Sequence, residues 1–309
     1  MLKIEENIDL SKYTTFKIGG KARFFIDAKN EEDIIESIKY AKENSIDFFI
    51  LAGGSNLLVS DKGFDGIVIK ISNSKLEINK EEIVADAGVS FFDIVLKSVE
   101  SSLSGLEWAA GIPGTVGGAV VGNAGAFGGE IKDNLLEARI YDVEKDEVRV
   151  LKNDECDFTY RNSFFKNNYK KIILLSAKFL LEKGNKKESK KNIKETIGKR
   201  KDNQPQYPSA GSFFKNPFID DKNLTETFER DKGVEVRGGK LPVGWFIERL
   251  ELKGKSIGGA QISKKHANFI INTGNASAED VIILSSLIKE KLRNHYNIQL
   301  QEEVRMVGF

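Results

Sequence analysis

The stretch Gly111–Glu130, with the sequence GIPGTVGGAVVGNAGAFGGE, most constrains how this chain can fold, because eight of its twenty residues are glycine. Each glycine in regular structure costs roughly 0.5–1 kcal/mol relative to alanine, but glycine reaches positive φ and lets a ligand approach the backbone. Successive backbone N–H groups can then bind an anion. The alternative is that these glycines only form turns. A run of this length favours a backbone shaped around a ligand.

Two shorter segments have the same character. They are Thr15–Gly20, with the sequence TFKIGG, and Gly53–Asn56, which follows the predicted buried strand Phe48–Ala52. Neither they nor the long run contain a G-x-G-x-x-G fingerprint between a strand and a helix, or a P-loop. A dinucleotide bound to these glycines would therefore be held by another fold.

Composition limits the class of protein. The 309 residues are enough for two domains or three small ones. Lys and Arg number 47 against 46 Asp and Glu, a net charge of +1, which gives no overall attraction to nucleic acid or to an anionic membrane. Any anionic ligand must therefore be bound by a local site.

The redox environment is indicated by a single cysteine, Cys156, which excludes an internal disulfide and favours a reducing compartment. Residues 1–10 have no apolar core typical of a signal peptide, and no apolar run approaches the ~18–20 residues of a membrane helix. We therefore expect a cytoplasmic protein without a membrane partner. Redox chemistry in it would need a bound cofactor.

The pattern of elements predicts an α+β fold. Residues 1–72 form a first unit, with a helix at Asn30–Asn44 and strands at Phe48–Ala52 and Gly66–Ile71. Residues 73–182 form a second unit. Its predicted elements are a strand at Glu82–Ala87, a helix at Ser90–Ser101, a hairpin of Leu135–Val143 with Glu147–Leu151, and a strand at Lys171–Leu181.

Lysine dominates residues 183–203, which we interpret as a boundary formed by a basic linker or a solvated helix. Residues 204–309 then form a third unit. Its predicted elements are a short helix at Gly244–Leu250, a strand at His266–Asn272, a helix at Ser277–Tyr296 capped by Ser277 and Asp280, and a final strand at Leu300–Val307.

Seven motifs, in order along the chain, identify a resemblance. They are TTFKIGG, AGGSNLL, GIPGTVGGAVVGNAGAFGGE, FTYRNSFF, PSAGSFFKNP, GGAQISKKHANFIIN and EEVRMVG. Together they resemble the UDP-N-acetylenolpyruvoylglucosamine reductases of bacterial peptidoglycan synthesis, in the shorter form that lacks an inserted tyrosine loop. The resemblance implies a two-lobed FAD-binding domain of the vanillyl-alcohol-oxidase type, in residues 1–72 and 73–182. It also implies a C-terminal α+β substrate-binding domain in residues 204–309.

The activity implied by the resemblance has two halves. NADPH reduces FAD, and NADP then leaves. UDP-N-acetylglucosamine enolpyruvate next receives a hydride from flavin N5 at C3 and a proton at C2, which yields UDP-N-acetylmuramate. The cofactor carries the redox chemistry, and the protein supplies orientation, charge and the proton. Nothing in the sequence predicts the oligomeric state.

The resemblance also assigns site residues. Ser212 matches the proton donor to C2, Arg161 the arginine near the flavin and the enolpyruvyl carboxylate, and Glu303 the catalytic acidic residue. The predicted cofactor-binding residues are Gly53, Gly54, Ser55, Asn56, Gly111, Ile112, Pro113, Gly114, Gly117, Gly118, Asn123, Ala124, Gly125 and Ala126. The predicted substrate-binding residues are Lys215, Asn216, Arg200, Lys264 and His266.

Several of these residues have plainer interpretations. Ser209 and Ser212 are equal candidates without the motif, and Arg161 could instead pair with Asp157. The adjacent Glu302 and Glu303 would point to opposite faces of a strand, so that only one faces the site.

The two histidines also allow more than one interpretation. His266 could contact a substrate phosphate or simply pack, and it makes no zinc site with His295 because no cysteine cluster accompanies them. Asn203 precedes Gln204-Pro205 where the family commonly has lysine, so this chain differs from the family at that position.

Two rival functions remain from the sequence. One is a related FAD-dependent sugar or lactone oxidase, against which the three C-terminal motifs argue. The other is a non-catalytic nucleotide-binding protein, which would bind no flavin.

Overall fold

The computed structural model describes residues 2–236 and 238–309, which divide into two compact units. Unit 1 comprises Met1–Ile8, Ala22–Gly54 and Phe64–Asp202, and unit 2 comprises Asp9–Lys21, Ser55–Gly63 and Asn203–Phe309. Two short segments from the N-terminal part of the chain thus belong with the C-terminal unit. The predicted division into lobes at residues 72 and 182 stays a prediction.

Unit 1 contains two main sheets. The first has four strands in the order Ile4–Asp9, Lys21–Ala28, Phe64–Ile71 and Phe48–Leu51, and the last three are parallel to one another. The second has five antiparallel strands in the order Glu147–Lys152, Leu135–Asp142, Ile172–Leu180, Glu82–Asp86 and Leu76–Asn79. The predicted strands and the predicted hairpin are confirmed to within two residues at each end.

The helices of unit 1 are Glu31–Glu43, Phe91–Glu100, Val116–Val121, Phe164–Asn167 and Lys186–Asn203. The first begins where predicted, because Asn30 Oδ1 accepts a hydrogen bond from Asp33 N at 2.8 Å. Its side chains Ile34, Ile38 and Ala41 are fully buried in the core of this unit. The lysine-rich segment is a helix with Ser189 and Ile193 buried, so it packs on the unit along one face.

Unit 2 contains a four-stranded antiparallel sheet in the order Ser209–Ser212, Phe269–Asn272, Ala260–Ile262 and Ser256–Ile257. Its helices are Lys222–Lys232, Val243–Arg249 and Ala278–Tyr296. A separate parallel pair joins Arg305–Val307 to Leu57–Val59. The core of this unit includes Phe213, Phe214 and Phe246.

Two predicted strands of unit 2 are shorter than expected. The strand predicted at Leu300–Val307 is regular only at Arg305–Val307, because residues 300–304 pair with the segment after Ser212 through one isolated bridge instead. The strand predicted from His266 begins at Phe269, because Ser263 Oγ accepts hydrogen bonds from Lys265 N and His266 N and holds a turn there. The helix Lys222–Lys232 was not predicted, although Asp221 caps its start and Gly233 its end.

Across residues 2–236 and 238–309, none of the helices combines the length and the apolar character that crossing a bilayer requires.

The capping box of the helix Ala278–Tyr296 supports a stability prediction. Ser277 Oγ accepts from Asp280 N at 3.0 Å, and Asp280 Oδ2 accepts from Ser277 N at 3.0 Å. Ser277→Ala should therefore destabilise unit 2 by about 1 kcal/mol. The measurement is the denaturant midpoint of the transition that reports on Trp245 fluorescence. Ser286→Ala, on the exposed side of the same helix, is the control and should leave the midpoint unchanged; equal midpoints for both variants would contradict the prediction.

Candidate active site

Two of the glycine motifs meet in unit 1, directly after the strand Phe48–Leu51. A Cβ added to Gly53 would lie 2.5 Å from Gly114 Cα, so the two backbones leave no room for a side chain. Gly54 and Gly114 adopt φ values of 64° and 123°, a region that non-glycine residues rarely adopt. The predicted cofactor-binding glycines are therefore needed at these positions for the backbones to meet.

The helix Val116–Val121 begins beside this contact. Its N-cap Thr115 follows Gly114, and Val116 N and Gly117 N donate to the carbonyls of Val89 and Ala87 at 2.8 Å each. A Cβ on Gly117 would lie 3.0 Å from Ala87 Cβ, whereas one on Gly118 would make an ordinary 3.5 Å contact with Ala52 Cβ. Gly117 is therefore explained by close packing against residue 87. The segment after Gly114 is thus held firmly in place by unit 1.

Asn123 joins the glycine-rich run to the loop that carries Arg161. It is completely buried, and its Nδ2 donates to Glu130 Oε2 at 2.9 Å and to the Thr159 carbonyl at 3.0 Å. Its Oδ1 accepts from Lys132 N at 3.1 Å. Both amide hydrogens are engaged by the protein. A cofactor-binding role for Asn123 would therefore depend on its backbone.

Arg161 contacts the same run. Its Nη2 donates to the Gly125 carbonyl at 2.7 Å, and its guanidinium lies 5.2 Å from the ring centre of Tyr160. Arg161 has a φ of 55°, and its carbonyl accepts from Lys166 Nζ at 2.9 Å. A Cβ on Gly125 would lie 3.2 Å from Arg161 Nη1. The structure thus brings Arg161 against the predicted cofactor-binding residues of the glycine-rich run.

Arg200, near the C-terminal end of the helix Lys186–Asn203, also contacts this region. Its Nε donates to the Ala110 carbonyl at 2.8 Å and its Nη2 to the Trp108 carbonyl at 3.3 Å. Its guanidinium lies 5.0 Å from the ring centre of Phe127. Burial lowers the pKa of this guanidinium. Arg200 therefore supports the segment that leads into Gly111, and its predicted contact with a diphosphate stays a prediction.

The same helix is held at its other end by Glu107. Burial alone would raise the pKa of Glu107, but hydrogen bonds from Ser189 Oγ and Gly105 N outweigh it, and the pKa is lowered. The carboxylate therefore stays ionised at neutral pH and ties Ser189 to the segment before Gly111. We did not predict this role of Glu107, because the contact joins residues that lie far apart in the sequence.

In unit 2, Ser212 ends a strand that contains a bulge. Ser209 pairs with Ile271 and Ser212 with Phe269, so one extra residue lies between the two pairs, and Gly211 has a φ of 79°. A bulge redirects the side chains that follow it. Ser209 is held by its carbonyl, which accepts from Thr15 Oγ1 at 2.7 Å. The two serines, equal candidates from the residues alone, thus lie on opposite sides of a bulge.

The segment after Ser212 pairs with the segment that contains Glu303. Glu303 N donates to the Phe213 carbonyl at 2.8 Å, and Lys215 N donates to the Gln301 carbonyl at 2.9 Å. The structure therefore brings Ser212, Lys215 and Glu303 onto two paired segments of one unit. Glu302 forms an ion pair with Lys289 at 2.8 Å, so its carboxylate is committed to the helix Ala278–Tyr296.

Asn56 is bonded to the same C-terminal segment. Its Nδ2 donates to the Glu303 carbonyl at 3.1 Å, and its carbonyl accepts from Arg305 N at 3.0 Å. The residue predicted to bind a pyrophosphate thus also holds the backbone around the predicted catalytic glutamate.

Three further residues of unit 2, Asn216, Lys264 and His266, were predicted to bind substrate, and each contacts other parts of the protein. Asn216 Oδ1 accepts from Val243 N at 3.1 Å, which supports the start of the helix Val243–Arg249. The Lys264 side chain lies over Gly254, where an added Cβ would be 3.0 Å from Lys264 Cε. His266 packs on Phe269, with 4.7 Å between ring centres, and burial lowers its pKa. The imidazole is therefore neutral at pH 7, and its Nδ1 accepts from Asn268 N at 3.3 Å.

Comparison with known proteins decides the family. Residues 22–151 match an FAD-binding domain, and residues 204–307 match the C-terminal domain of UDP-N-acetylenolpyruvoylglucosamine reductase. The reductase of Caldanaerobacter subterraneus subsp. tengcongensis is 40% identical over 99% of this chain and 94% of its own length. That of Clostridium kluyveri is 38% identical over 99% of this chain and 93% of its own length.

The chain belongs to the UDP-N-acetylenolpyruvoylglucosamine reductase family. The crystal structure of the reductase from Thermus caldophilus aligns with a TM-score of 0.81 and 29% identity, covering 99% of this chain and 100% of that one. The predicted α+β combination of an FAD-binding domain with a C-terminal reductase domain is confirmed. The chain is an FAD-dependent oxidoreductase.

The residues of unit 1 fit the FAD of this reductase family. A cofactor with a pyrophosphate needs backbone donors at close range, and Gly53, Gly54 and Gly114 carry no side chain that would cover their backbone N–H groups. The guanidinium of Arg161 on Gly125 places a positive charge beside the glycine-rich run. Gly53 and Gly54 together with the run from Gly111 to Ala126 would therefore hold FAD in unit 1.

Arg200 gives a testable consequence for FAD binding. Arg200→Met replaces the aliphatic part of the arginine side chain but removes the N–H donors to the carbonyls of Ala110 and Trp108. Each hydrogen bond from a charged group contributes about 1.5–3 kcal/mol. The dissociation constant of FAD should therefore rise by about tenfold or more, measured by flavin fluorescence during titration of the apoprotein. Lys194→Met, at an exposed position of the same helix, is the matched control. Equal affinities in the two variants would exclude the support role of Arg200.

Proposed function

We propose that this reductase converts UDP-N-acetylglucosamine enolpyruvate to UDP-N-acetylmuramate with NADPH, as a cytoplasmic step in making peptidoglycan precursors. The supporting observation is the pairing of the PSAGSFFKNP segment with the EEVRMVG segment, which brings Ser212 and Glu303 onto neighbouring backbones. Family membership over nearly the whole chain supports the substrate. Bound FAD supplies hydride transfer, from the reduced nicotinamide to C3 of the enolpyruvyl group.

Ser212 is the proton donor in this proposal. Addition of a hydride at C3 leaves negative charge at C2 and on the adjoining carboxylate, and a proton from the Ser212 hydroxyl completes the product at C2. A serine hydroxyl is a weak acid, so its proton must be replaced by a neighbouring group. The candidates are Lys215, which lies three residues after Ser212, and Glu303, whose segment is hydrogen-bonded to residues 213–215.

Arg161 stabilises the charge that develops. A planar guanidinium binds a carboxylate with two parallel hydrogen bonds and brings a positive charge to it. In this role Arg161 orients the enolpyruvyl carboxylate and favours the transition state, in which that carboxylate gains charge. Its bond to the Gly125 carbonyl and the bond from Lys166 to its own carbonyl limit the positions that the guanidinium can reach.

Basic and amide groups of unit 2 would bind the nucleotide part of the substrate. Lys215 and Lys264 supply the positive charge that a diphosphate requires on a chain whose net charge is only +1. Asn216 and His266 are engaged in the protein at Oδ1 and Nδ1, so each would contribute its remaining N–H group.

Anaerobic titration of the purified protein tests the proposal as a whole. The flavin absorption band at ~450 nm should bleach on addition of NADPH and return on addition of the enolpyruvyl UDP-sugar. A protein that stays oxidised with NADPH would not be this reductase. Rapid return of the bands with O₂ alone, with no response to the enolpyruvyl sugar, would indicate a sugar or lactone oxidase instead.

Replacement of Ser212 separates the two half-reactions. Ser212→Ala should leave bleaching by NADPH unchanged, because no proton is delivered to C2 in that step. It should slow the return of the flavin bands with the enolpyruvyl sugar by ~10²-fold or more, because a general acid contributes about 10²–10⁴-fold. Stopped-flow absorbance measures both steps.

Ser209→Ala is the control for this experiment, since Ser209 lies on the same strand before the bulge. It should leave both steps unchanged. A larger loss in Ser209→Ala, or an equal loss of both half-reactions in Ser212→Ala, would reject the assignment of the proton donor.

A further inference from the structure

Asn268 is a buried asparagine beside the segment that carries Ser212. Asn268 lies in the turn that leads into the strand Phe269–Asn272, and only 4% of its surface is exposed. Its Nδ2 donates to the Phe214 carbonyl at 2.8 Å and its Oδ1 accepts from Phe214 N at 3.1 Å. The side-chain amide therefore pairs with one residue of the backbone as a neighbouring strand would.

The main chain of Asn268 adds a third bond. Its carbonyl accepts from Phe213 N at 2.7 Å. One residue thus satisfies the backbone N–H groups of Phe213 and Phe214 and the carbonyl of Phe214. Phe213 and Phe214 are each 1% exposed, so water cannot easily replace these bonds.

The opposite edge of the same segment is held by the residues around Glu303. The Phe213 carbonyl accepts a hydrogen bond from Glu303 N at 2.8 Å, and Lys215 N donates to the Gln301 carbonyl at 2.9 Å. The backbone of residues 213–215 is therefore fixed from both sides. The backbone from which the Ser212 side chain extends is therefore held in one position relative to Asn268 and Glu303.

We propose that Asn268 is a positioning residue that sets the Ser212 hydroxyl for proton transfer to C2, acting through the backbone of Phe213 and Phe214. This inference rests on the proposed function of Ser212. Asn268 itself need not touch substrate or cofactor, because its amide is occupied by Phe214 on both its donor and acceptor atoms.

The chain offers a matched control in Asn272. It lies on the strand that follows Asn268, is also 4% exposed, and its Oδ1 accepts from Gly274 N at 2.8 Å and Ala276 N at 3.1 Å. Its Nδ2 donates to the Phe16 carbonyl at 3.2 Å. Asn272 thus has the same chemistry and burial, but its side chain holds segments other than residues 213–215.

The experiment compares Asn268→Ala with Asn272→Ala in the full-length FAD-loaded protein. Both variants leave buried backbone groups unsatisfied, so both should lower the thermal midpoint. Only Asn268→Ala should slow the step in which the enolpyruvyl UDP-sugar reoxidises the flavin, by ~10–100-fold, because a small misplacement of a reacting group has effects of that size. Flavin reduction by NADPH should keep its wild-type rate in both variants.

Asn268→Asp is a second variant, and it leaves no cavity because aspartate has nearly the size of asparagine. Its carboxylate can still accept a hydrogen bond from Phe214 N but cannot donate one to the Phe214 carbonyl. It should also slow only the second step. Equal rates for wild type and both Asn268 variants would overturn the proposal, as would equal slowing by Asn272→Ala. Loss of bound FAD in both Asn268 variants would overturn it too, since Asn268 would then be needed for the folded protein in general and not for the position of Ser212.

The wild-type protein separates this inference from the proposed function. If its flavin is reduced by NADPH but not reoxidised by the enolpyruvyl UDP-sugar, the proposed function is wrong. If wild type completes both steps and the Asn268 variants match it, only the positioning role is wrong.

Discussion

The hydrogen bond between Glu303 N and the Phe213 carbonyl is the contact on which the arrangement of unit 2 depends. It joins the end of the chain to the segment that follows Ser212, in a buried setting where each unpaired backbone group would cost about 1–3 kcal/mol. Asn268 holds the other edge of that segment, and Asn56 holds the carbonyl of Glu303. A cofactor motif, the proposed proton donor and the proposed acidic residue are thus linked by successive backbone contacts.

In unit 1, the glycine residues meet a different requirement, which is the close approach of a cofactor to the backbone. FAD requires backbone groups at close range, and Gly53, Gly54 and the glycines of the run from Gly111 leave the backbone uncovered by side chains. Such a backbone has little stiffness of its own. Asn123, within the run, is buried between Glu130, Lys132 and Thr159 and fixes the run by its side chain. Arg200, outside the run, is bonded to the carbonyls of Trp108 and Ala110 and holds the segment that leads into it.

The sequence predicted those parts of the structure that local chemistry determines. The helices that begin at Glu31, Phe91 and Ala278 were predicted because each has a periodic apolar face. The structure caps them with Asn30, Ser90 and Ser277. The strand expected at Leu300–Val307 was wrong in part, because its first half pairs with residues brought near only by folding.

The candidate site shows the same limit. The motifs pointed to Ser212, Arg161 and Glu303, but they did not indicate the bulge at Gly211 or the pairing of Asn268 with Phe214. Asn268 lies within the motif GGAQISKKHANFIIN, yet a buried asparagine has no local sequence pattern that identifies its hydrogen-bond partner. The contact of Arg200 with a phosphate stays a prediction, and the sequence did not indicate its hydrogen bonds to the carbonyls of Ala110 and Trp108.

A crystal structure of the protein with FAD and the enolpyruvyl UDP-sugar tests the central claim most directly. The measured quantity is the distance from the Ser212 oxygen to C2 of the enolpyruvyl group. The account predicts a separation of about 3–3.5 Å, with the Asn268 amide still paired to Phe214. A Ser212 hydroxyl that points away from C2, with Ser209 or a water molecule at the donor position, would contradict it.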